Sequence, residues 1–400
     1  MKKTWMVLIT AILSLALIGC PPKTESTGTT AGGEAGEIVI GEYGSLTGGQ
    51  ATFGQSTHNG IMLAVEEINA AGGINGRKLT VKTEDDQSKP EEAPTAVTKL
   101  ISQNNVVAVL GEVASSASLA AAPICQANKV PMITPSSTNE KVTQVGDYIF
   151  RMCYIDPYQG EAMANYLSRQ AGYKTAAILI DVRSDYSTGL AANFKRVFTA
   201  NGGKIVIEQS YTQGDSDFRA QLTAIRAANP EVIFVPGYYN DIGQIAIQAR
   251  DLGMKQPLAG GDGWESPKLF EIGGKALDGC LYSNHYHVDD PAPAVRSFVQ
   301  KYEERYGAKP DSLAALAYDS ARVLAEAIKR AGTTDSVKLR DAIAATKDFA
   351  GVTGIITLGP DRNPIGKRLV VLEIQNNTTV LKAVVDPAAP ASAASATSSQ

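Results

Sequence analysis

The chain has 400 residues and a formal net charge of −4, from 37 Lys and Arg against 41 Asp and Glu. Hydrophobic residues make up 44% and charged residues 20%, which are globular proportions and exclude intrinsic disorder for most of the chain. The length is enough for two domains and for three at most, at about 100–200 residues per domain. Because the charge is nearly balanced, no broad basic surface is available for phosphates, and nucleic acid is not an expected partner.

The first residues have the pattern of a lipoprotein signal peptide. Two lysines precede an apolar run over residues 5–18, which is shorter than the about 20 residues of a membrane span. The run ends in Leu-Ile-Gly-Cys, which resembles a bacterial lipobox. We therefore expect residues 1–19 to be removed and Cys20 to carry a diacylglycerol. An uncleaved anchor and a plain secretory signal are the alternatives.

Two low-complexity segments flank the remaining sequence. Residues 20–36 are rich in Pro, Thr, Gly and Glu and lack periodic apolar positions, which predicts a flexible tether behind the anchor. Residues 386–400 are rich in Ala, Ser and Pro and predict a disordered tail. The folded body is therefore expected between these two segments.

Within the body, short β-branched runs alternate with amphipathic stretches. The predicted strands are residues 38–43, 79–81, 106–110, 131–133, 176–180, 204–207, 232–235 and, near the end, 369–374. The predicted helices are residues 60–71, 91–103, 116–128, 159–171, 186–201, 217–228 and 242–252. Apolar strands in β-α-β order predict parallel sheets with helices on both faces. Because one sheet would not comfortably take so many strands, we expect an α/β protein with two doubly wound lobes.

Ligands of such sheets bind outside the carboxyl ends of the strands, and polar residues cluster there. Ser115 and Ser116 begin a predicted helix, where free N–H groups and the helix dipole favour an anion. Ser136, Ser137 and Thr138 add hydroxyls after the next strand. Together these groups suit a carboxylate, although the same serines and threonines could serve only as helix caps.

The second half of the chain offers a different chemistry at its strand ends. Asp262 lies in a glycine-rich segment, and Tyr186 and Tyr238 follow two neighbouring predicted strands. An acid and two phenols opposite a cluster of donors would hold a zwitterion, with Asp262 compensating the ammonium group. The alternative is that Asp262 is a turn residue among glycines.

Five motifs resemble those of the leucine/isoleucine/valine-binding proteins of ABC transporters. They are Gly-Ser-Leu-Thr-Gly at 44–48, Ala-Ala-Gly-Gly-Ile-Asn-Gly at 70–76, Met-Ile-Thr-Pro-Ser-Ser-Thr-Asn at 132–139, Asp-Pro-Tyr-Gln-Gly at 156–160 and Gly-Tyr-Tyr at 237–239. The likeness extends over about residues 38–383. It implies a type I periplasmic-binding-protein fold, in which two Rossmann-like lobes are joined by three crossovers and close on a ligand.

The resemblance also implies where the lobes begin and end. Its crossovers fall near residues 155–156, 285–286 and 361–364. Lobe 1 is then formed by residues 37–155 and 286–362, and lobe 2 by residues 156–285 and 363–385. Each lobe would be discontinuous in sequence.

Carried over by position, the resemblance assigns roles to individual residues. Ser115 and Thr138 match the family's carboxylate-binding hydroxyls, and Ser137 matches a residue whose backbone contacts the ligand. Tyr186 and Tyr238 match the two second-lobe tyrosines of the family. Phe53 falls at a position where an aromatic residue commonly lines the side-chain pocket.

Two positions depart from the family pattern. Asp262 stands where leucine-type proteins carry Glu, so its carboxylate reaches one methylene less far, and a water or a different ligand shape could fill the gap. Near Ala314 and Ala315 an aromatic residue of some relatives is missing, which would enlarge the apolar pocket. The grip on the amino-acid backbone is therefore better supported than the preference for a side chain.

The function implied by the resemblance is capture of a solute outside the cytoplasm. We expect a monomeric, lipid-anchored binding protein that takes up a branched-chain or other aliphatic L-amino acid without a cofactor and delivers it to an ABC permease. The alternative is a sensor of the same fold for an amide, urea or an aromatic acid. An enzyme is not expected, because the sequence has neither a Gly-x-Ser-x-Gly nucleophile motif nor a phosphate-binding loop.

Three cysteines remain in the body, and none belongs to a Cys-x-x-Cys motif. Outside the cytoplasm, Cys125 and Cys153 could pair, because they flank elements of lobe 1 that should be neighbours, or both could remain free. Cys280 is expected to be a buried free thiol.

The three histidines do not predict a metal site. His285 and His287 would share a strand face, but a third ligand is not evident, so we expect solvated crossover residues there. His58 precedes a predicted helix, at a position typical of a polar surface residue.

Overall fold

The computed structural model describes residues 36–387. The expected signal peptide, the lipidation site at Cys20, almost all of the tether and most of the tail lie outside the described residues. Within residues 36–387, no helix combines the length and the apolar character needed to cross a membrane.

The first lobe is built on a five-stranded, fully parallel sheet. Its strands are β1 (Ile38–Gly44), β2 (Leu79–Asp85), β3 (Val109–Leu110), β4 (Met132–Thr134) and β5 (Ile149–Arg151). The connecting helices are α1 (Ala51–Ala70), α2 (Ala93–Ser102), α3 (Ser115–Ala127) and α4 (Lys141–Gln144). The order β2-β1-β3-β4-β5 puts β1 between β2 and β3, where Gly41 is in register with Val109. The order therefore reverses at β1, and the crevice at such a switch point is where α/β sheets bind ligands.

The second lobe has a seven-stranded sheet of order β14-β13-β10-β9-β8-β6-β7. Its first strands are β6 (Thr175–Asp181), β7 (Lys204–Tyr211), β8 (Val232–Phe234), β9 (Leu258–Gly260) and β10 (Leu281–Asn284), which pair in parallel. The helices are α5 (Asp156–Asn165), which continues as a π-helical turn (Tyr166–Gln170), α6 (Asp185–Ala200), α7 (Arg219–Ala228), α8 (Tyr239–Asp251) and α9 (Pro267–Gly273).

The chain then returns to the first lobe before ending in the second. The returning elements are α10 (Pro293–Tyr306), α11 (Ser312–Ala331), α12 (Ser336–Ala344) and the antiparallel pair β11 (Phe349–Gly351) and β12 (Gly354–Ile356). Apolar residues of α10 to α12 share one hydrophobic core with β1 and α1. The last strands, β13 (Leu369–Gln375) and β14 (Thr378–Val385), join the second sheet in antiparallel pairing. The predicted α/β fold with two parallel-sheet lobes is confirmed.

The central strands are apolar on both faces because helices cover both sides of each sheet. Residues Ala176 to Leu179 of β6 are fully buried, as are all three residues of β8. The alternation of such strands with helices is what the sequence pattern predicted. The predicted strands at 38–43, 176–180 and 369–374 agree with β1, β6 and β13 to within one residue at each end.

One helix is longer than predicted, for a reason visible in its packing. The prediction began at residue 60, whereas α1 begins at Ala51. Gly54 and Gly60 lower the helical propensity of this stretch. A Cβ atom at Gly54 would lie 2.3 Å from the carbonyl oxygen of Ser45, and one at Gly60 would lie 2.1 Å from that of Ala314. The glycines that weaken the helical signal are therefore needed where α1 packs against its neighbours.

Candidate functional site

A small cavity lies between the two lobes at the carboxyl ends of their strands. The empty space between its walls is about 240 Å³, part of which is open to solvent. Its lining residues are Phe53, Val113, Ser115, Ser136, Thr138, Tyr186, Tyr238, Asp262, Gly263 and Leu313. Of the predicted ligand-binding residues, all but Ser116 and Ser137 are in this wall.

The polar part of the wall contributed by lobe 1 consists of three hydroxyl side chains, those of Ser115, Ser136 and Thr138. Helix α3 begins at Ser115, whose Oγ accepts a hydrogen bond from the backbone N–H of Asn139 at 3.2 Å. Ser136 is buried, and its Oγ has no hydrogen-bond partner among the described residues. A buried hydroxyl without a partner is costly unless a ligand or water completes its bonding. This wall can therefore accept an anionic group through hydroxyls and the helix N-terminus.

Ser137 lies behind the wall instead of in it. Its Oγ donates to the carbonyl oxygens of Glu112 and Val113, each at 2.9 Å, and its backbone N–H donates to Thr134 Oγ1 at 2.9 Å. The side chain of Ser137 thus connects the ends of β3 and β4. A ligand contact through its backbone remains a prediction.

Apart from Asp262 and Gly263, the wall contributed by lobe 2 is aromatic. The rings of Tyr186 and Tyr238 stack at 5.2 Å between centroids, and Phe53 from lobe 1 meets Tyr238 edge-on at 5.6 Å. The Tyr186 hydroxyl accepts a hydrogen bond from the backbone N–H of Gly263 at 3.1 Å. These contacts hold the rings in place, so that an apolar side chain of a ligand would meet a preformed surface.

Asp262 is the carboxylate in the cavity wall, and only 5% of its surface is exposed. Its Oδ1 accepts from Gln159 Nε2 at 3.0 Å, and its Oδ2 lies 2.9 Å from His285 Nε2. The backbone N–H of Asp262 donates to Gln159 Oε1 at 3.1 Å. Each carboxylate oxygen retains a further lone pair, so Asp262 can still accept a hydrogen bond from a cationic ligand.

The prediction of a solvated histidine at 285 is wrong. His285 is only 5% exposed, and its ring stacks on Tyr154 with 3.9 Å between centroids. Burial lowers the pKa of His285, against the opposing effect of its hydrogen bond to Asp262. Sequence reasoning missed both His285 and Gln159 as parts of the site. Gln159 belongs to the Asp-Pro-Tyr-Gln-Gly motif, but nothing in that motif shows that its side chain reaches Asp262, and His285 belongs to none of the five motifs.

His58 also differs from its predicted position. It lies inside α1, is partly buried, and its Nδ1 is 2.8 Å from Glu42 Oε2. This hydrogen bond raises the pKa of His58. Among residues 36–387, no group of three or more His, Cys, Asp or Glu side chains is placed to hold a metal ion.

The suggested disulfide between Cys125 and Cys153 is not formed. Both cysteines are buried free thiols, as is Cys280. Cys153 Sγ is turned to the carbonyl oxygen of Ser137 at 3.3 Å, while Cys125, on α3, lies in the hydrophobic core. Closeness of two elements was therefore not enough to bring the two sulfur atoms together.

Hydrogen bonds across the cleft hold the lobes together around the cavity. Ser116 Oγ donates to Asp185 Oδ2 at 2.9 Å, and the Asp185 backbone N–H donates to Ser116 Oγ at 3.0 Å. Asn139 Nδ2 donates to the carbonyl oxygen of Asp185 at 2.7 Å. On the other side of Phe53, the Tyr239 hydroxyl donates to the carbonyl oxygen of Gly49 at 3.0 Å. The structure therefore represents a closed arrangement.

Several solved structures are similar to this chain, and two of the three described next contain a bound ligand. The leucine-binding protein LivK of Thermotoga maritima MSB8 is 40% identical, with a TM-score of 0.84 over 88% of this chain and 99% of that chain. The branched-chain amino acid transporter substrate-binding protein LivJ of Streptococcus pneumoniae, in complex with isoleucine, is 34% identical, with a TM-score of 0.83 over 88% and 100%. A solute-binding protein of an ABC transporter from R. palustris, in complex with benzoate, is 25% identical, with a TM-score of 0.79 over 88% and 98%.

The family model described as "Periplasmic binding protein" matches residues 37–379. This match covers both lobes and every residue of the cavity wall. The resemblance stated from the motifs is confirmed, and the chain belongs to the periplasmic binding protein family.

Proposed function

We propose that this protein captures an aliphatic L-amino acid, with a branched-chain side chain preferred, and delivers it to an ABC permease. The observation that carries the proposal is the chemistry of the cavity, which has neutral donors at one end and the buried carboxylate of Asp262 at the other. A zwitterion has the complementary charges, its carboxylate toward Ser115, Ser136 and Thr138 and its ammonium toward Asp262. A solved relative named as a leucine-binding protein and another in complex with isoleucine support the same assignment.

The side-chain preference rests on the remaining wall. Phe53, Val113 and Leu313 are apolar, and together with Tyr238 they would surround an aliphatic side chain. A charged side chain in this part of the cavity would lose hydration without gaining a partner. Leucine, isoleucine and valine are therefore the expected ligands.

Domain closure is the proposed signal to the permease. The lobes, proposed as residues 37–155 with 286–362 and residues 156–285 with 363–385, would close when one ligand contacts both walls. Such contacts exist only in the closed form, so a ligand shifts the population toward it.

Isothermal calorimetry of the purified protein against the twenty amino acids tests the proposal. We expect binding of leucine, isoleucine and valine with a Kd of about 1 µM or below, and at least about 100-fold weaker binding of lysine and glutamate. Silence toward all twenty amino acids would contradict the proposal. Binding of benzoate without any amino acid would instead favour a sensor or transporter of aromatic acids, which the benzoate complex of a relative makes the second candidate.

The anchor is a separate part of the proposal. The lipobox-like sequence ending at Cys20 supports attachment of the protein to the outer face of a membrane through a diacylglycerol. Cys20→Ser should shift the protein from the membrane fraction to the soluble fraction of the cell envelope. If the variant stays with the membrane, lipidation at Cys20 is not what retains it.

A further inference from the structure

The carboxylate of Asp262 is held by two neutral side chains that do not line the cavity themselves. Gln159 contacts Asp262 twice, through Oδ1 and through the backbone N–H. Ser283 Oγ donates to Gln159 Oε1 at 2.9 Å, which fixes the orientation of the amide. His285 Nε2 meets the other carboxylate oxygen at 2.9 Å. The direction of the carboxylate is therefore determined from behind the cavity wall.

The surroundings of His285 favour one protonation state. Its Nε2 faces Asp262, and its Nδ1 is buried without a hydrogen-bond partner among the described residues. A neutral imidazole with its proton on Nε2 satisfies Asp262 and leaves Nδ1 only as an unused acceptor. An imidazolium would add an unpaired N–H at Nδ1, and burying such a donor is unfavourable. The stacked ring of Tyr154 covers one face of the imidazole without offering a proton acceptor to Nδ1.

Four other ionisable groups lie near Asp262 and His285, and burial shifts the pKa of each of them. Burial raises the pKa of Asp156, on α5, to about 8, so this acid is mostly protonated near neutral pH. Burial lowers the pKa of Lys367, in the segment before β13, to about 8, and its positive charge lowers the pKa of His285 further. Burial raises the pKa values of Tyr154 and Cys153 well above neutrality, so both are uncharged. His285 is thus the group in this cluster whose ordinary pKa lies just below neutral.

We propose that His285 is a positioning residue that also sets the charge presented to the amine end of the ligand. As a neutral donor it orients Asp262 and leaves the carboxylate its negative charge for a ligand ammonium. As an imidazolium it would cancel that charge, and the cavity would no longer distinguish an amino acid from the same acid without its amine. This inference rests on the proposed function and adds the group that controls selection for the amine.

The test compares leucine with 4-methylpentanoate, which has the same side chain and carboxylate but no amine. In the wild-type protein at about pH 7.5, leucine should bind at least about 100-fold more tightly than the analogue, since a charge-assisted contact is made only by leucine. Because burial lowers the pKa of His285, this ratio should hold near neutral pH and fall only as the pH drops below about 6.5 and His285 becomes protonated. The ratio is measured by calorimetry at each pH.

Two variants separate positioning from charge. His285→Gln keeps a donor for Asp262 but cannot become charged, so its ratio should stay near the wild-type value at about pH 7.5 and fall much less on acidification. His285→Phe keeps a ring on Tyr154 but has no donor, so leucine affinity should drop about tenfold while affinity for the analogue changes less than about twofold. Retained binding of the analogue shows that the variant cavity is folded.

The outcomes distinguish this inference from the proposed function. If the wild-type protein binds no amine-bearing ligand, the proposed function is wrong and this inference falls with it. If the wild-type protein binds leucine but His285→Phe leaves the ratio unchanged, only the role of His285 is wrong. An equal fall of the ratio with pH in His285→Gln would assign the titration to another group and would also overturn the inference.

Discussion

The two ends of the cavity differ in where they carry a charged side chain. In lobe 1 the charge lies behind the cavity wall, and in lobe 2 it lies in the wall. In lobe 1, the buried Arg151 donates to the carbonyl oxygens of Ser137 and Asn139 at 2.6 and 2.8 Å and to Asn363 Oδ1 at 2.6 Å. A cation thus holds, from behind, a loop that presents neutral donors to the cavity. In lobe 2, neutral side chains hold an anion that faces the cavity.

The two charged side chains therefore differ in their position relative to the ligand. The charge of Arg151 lies behind the wall, where it stabilises the loop that carries Ser136 and Thr138. The charge of Asp262 lies in the wall itself. We therefore expect changes in the first region to affect mainly the stability of the protein, and changes in the second to affect mainly the choice of ligand.

The largest effect should follow removal of the charge behind lobe 1. Arg151→Met leaves the carbonyl oxygens of Ser137 and Asn139 buried without their donors, and the free energy of unfolding should fall by about 3 kcal/mol. Urea unfolding of the ligand-free protein measures this change. Arg219→Met is a matched control, because that exposed guanidinium only meets Asp217 at 3.5 Å and should contribute less than about 0.5 kcal/mol. If Arg151→Met lowers the free energy of unfolding by less than about 1 kcal/mol, the charge behind lobe 1 does not have the stabilising role given to it here.

The next effect concerns ligand choice at the other end. Asp262→Asn should weaken leucine binding by about 100-fold, since the contact between opposite charges is lost, while 4-methylpentanoate should bind about as well as before. Calorimetry with both ligands measures the two affinities. Glu271→Gln, which removes an exposed acid from the same lobe, should change neither. Equal losses for the two ligands would show that Asp262 is structural.

A smaller effect should follow loss of the unpartnered hydroxyl in lobe 1. Ser136→Ala removes no hydrogen bond seen among the described residues, so the free energy of unfolding should change by less than about 0.5 kcal/mol. Leucine and 4-methylpentanoate should both bind about five- to tenfold more weakly, because both offer the same carboxylate. Ser137→Ala is the contrasting control, which should lose stability because its hydroxyl bonds within the protein. Unchanged affinity in Ser136→Ala would place the ligand carboxylate elsewhere.

The smallest effect is expected at the contact between the lobes. Ser116→Ala removes both hydrogen bonds between Ser116 and Asp185, which form across the cleft. The closed form should lose a little stability, so leucine and 4-methylpentanoate should each dissociate about two- to fivefold faster. Stopped-flow measurement of ligand release tests this, and a change restricted to leucine would contradict a role in closure.

Much of the site could be anticipated because parallel strands gather their carboxyl ends at one edge. Ser115, Ser136 and Thr138 follow neighbouring strands of one sheet, and Tyr186, Tyr238 and Asp262 follow strands of the other. Once the alternation of strands and helices is recognised, their proximity within each lobe follows from topology alone. Val113, Gly263 and Leu313 were missed because small and apolar residues carry no chemical signal until the wall they form is known.

The sequence by itself determined the fold class, the family and the residues at each strand edge, since all three depend on local pattern and on motifs in order. Only the tertiary structure decided the surroundings of Asp262. Gln159, on α5, and His285, just after β10, are separated from Asp262 in sequence but contact it in the fold. The tertiary structure also decided that Cys125 and Cys153 are free thiols and that α1 begins at Ala51 and not at residue 60. The physical reason is common to these cases: burial and hydrogen bonding depend on which elements meet in space, and that is not encoded in the spacing of any single segment.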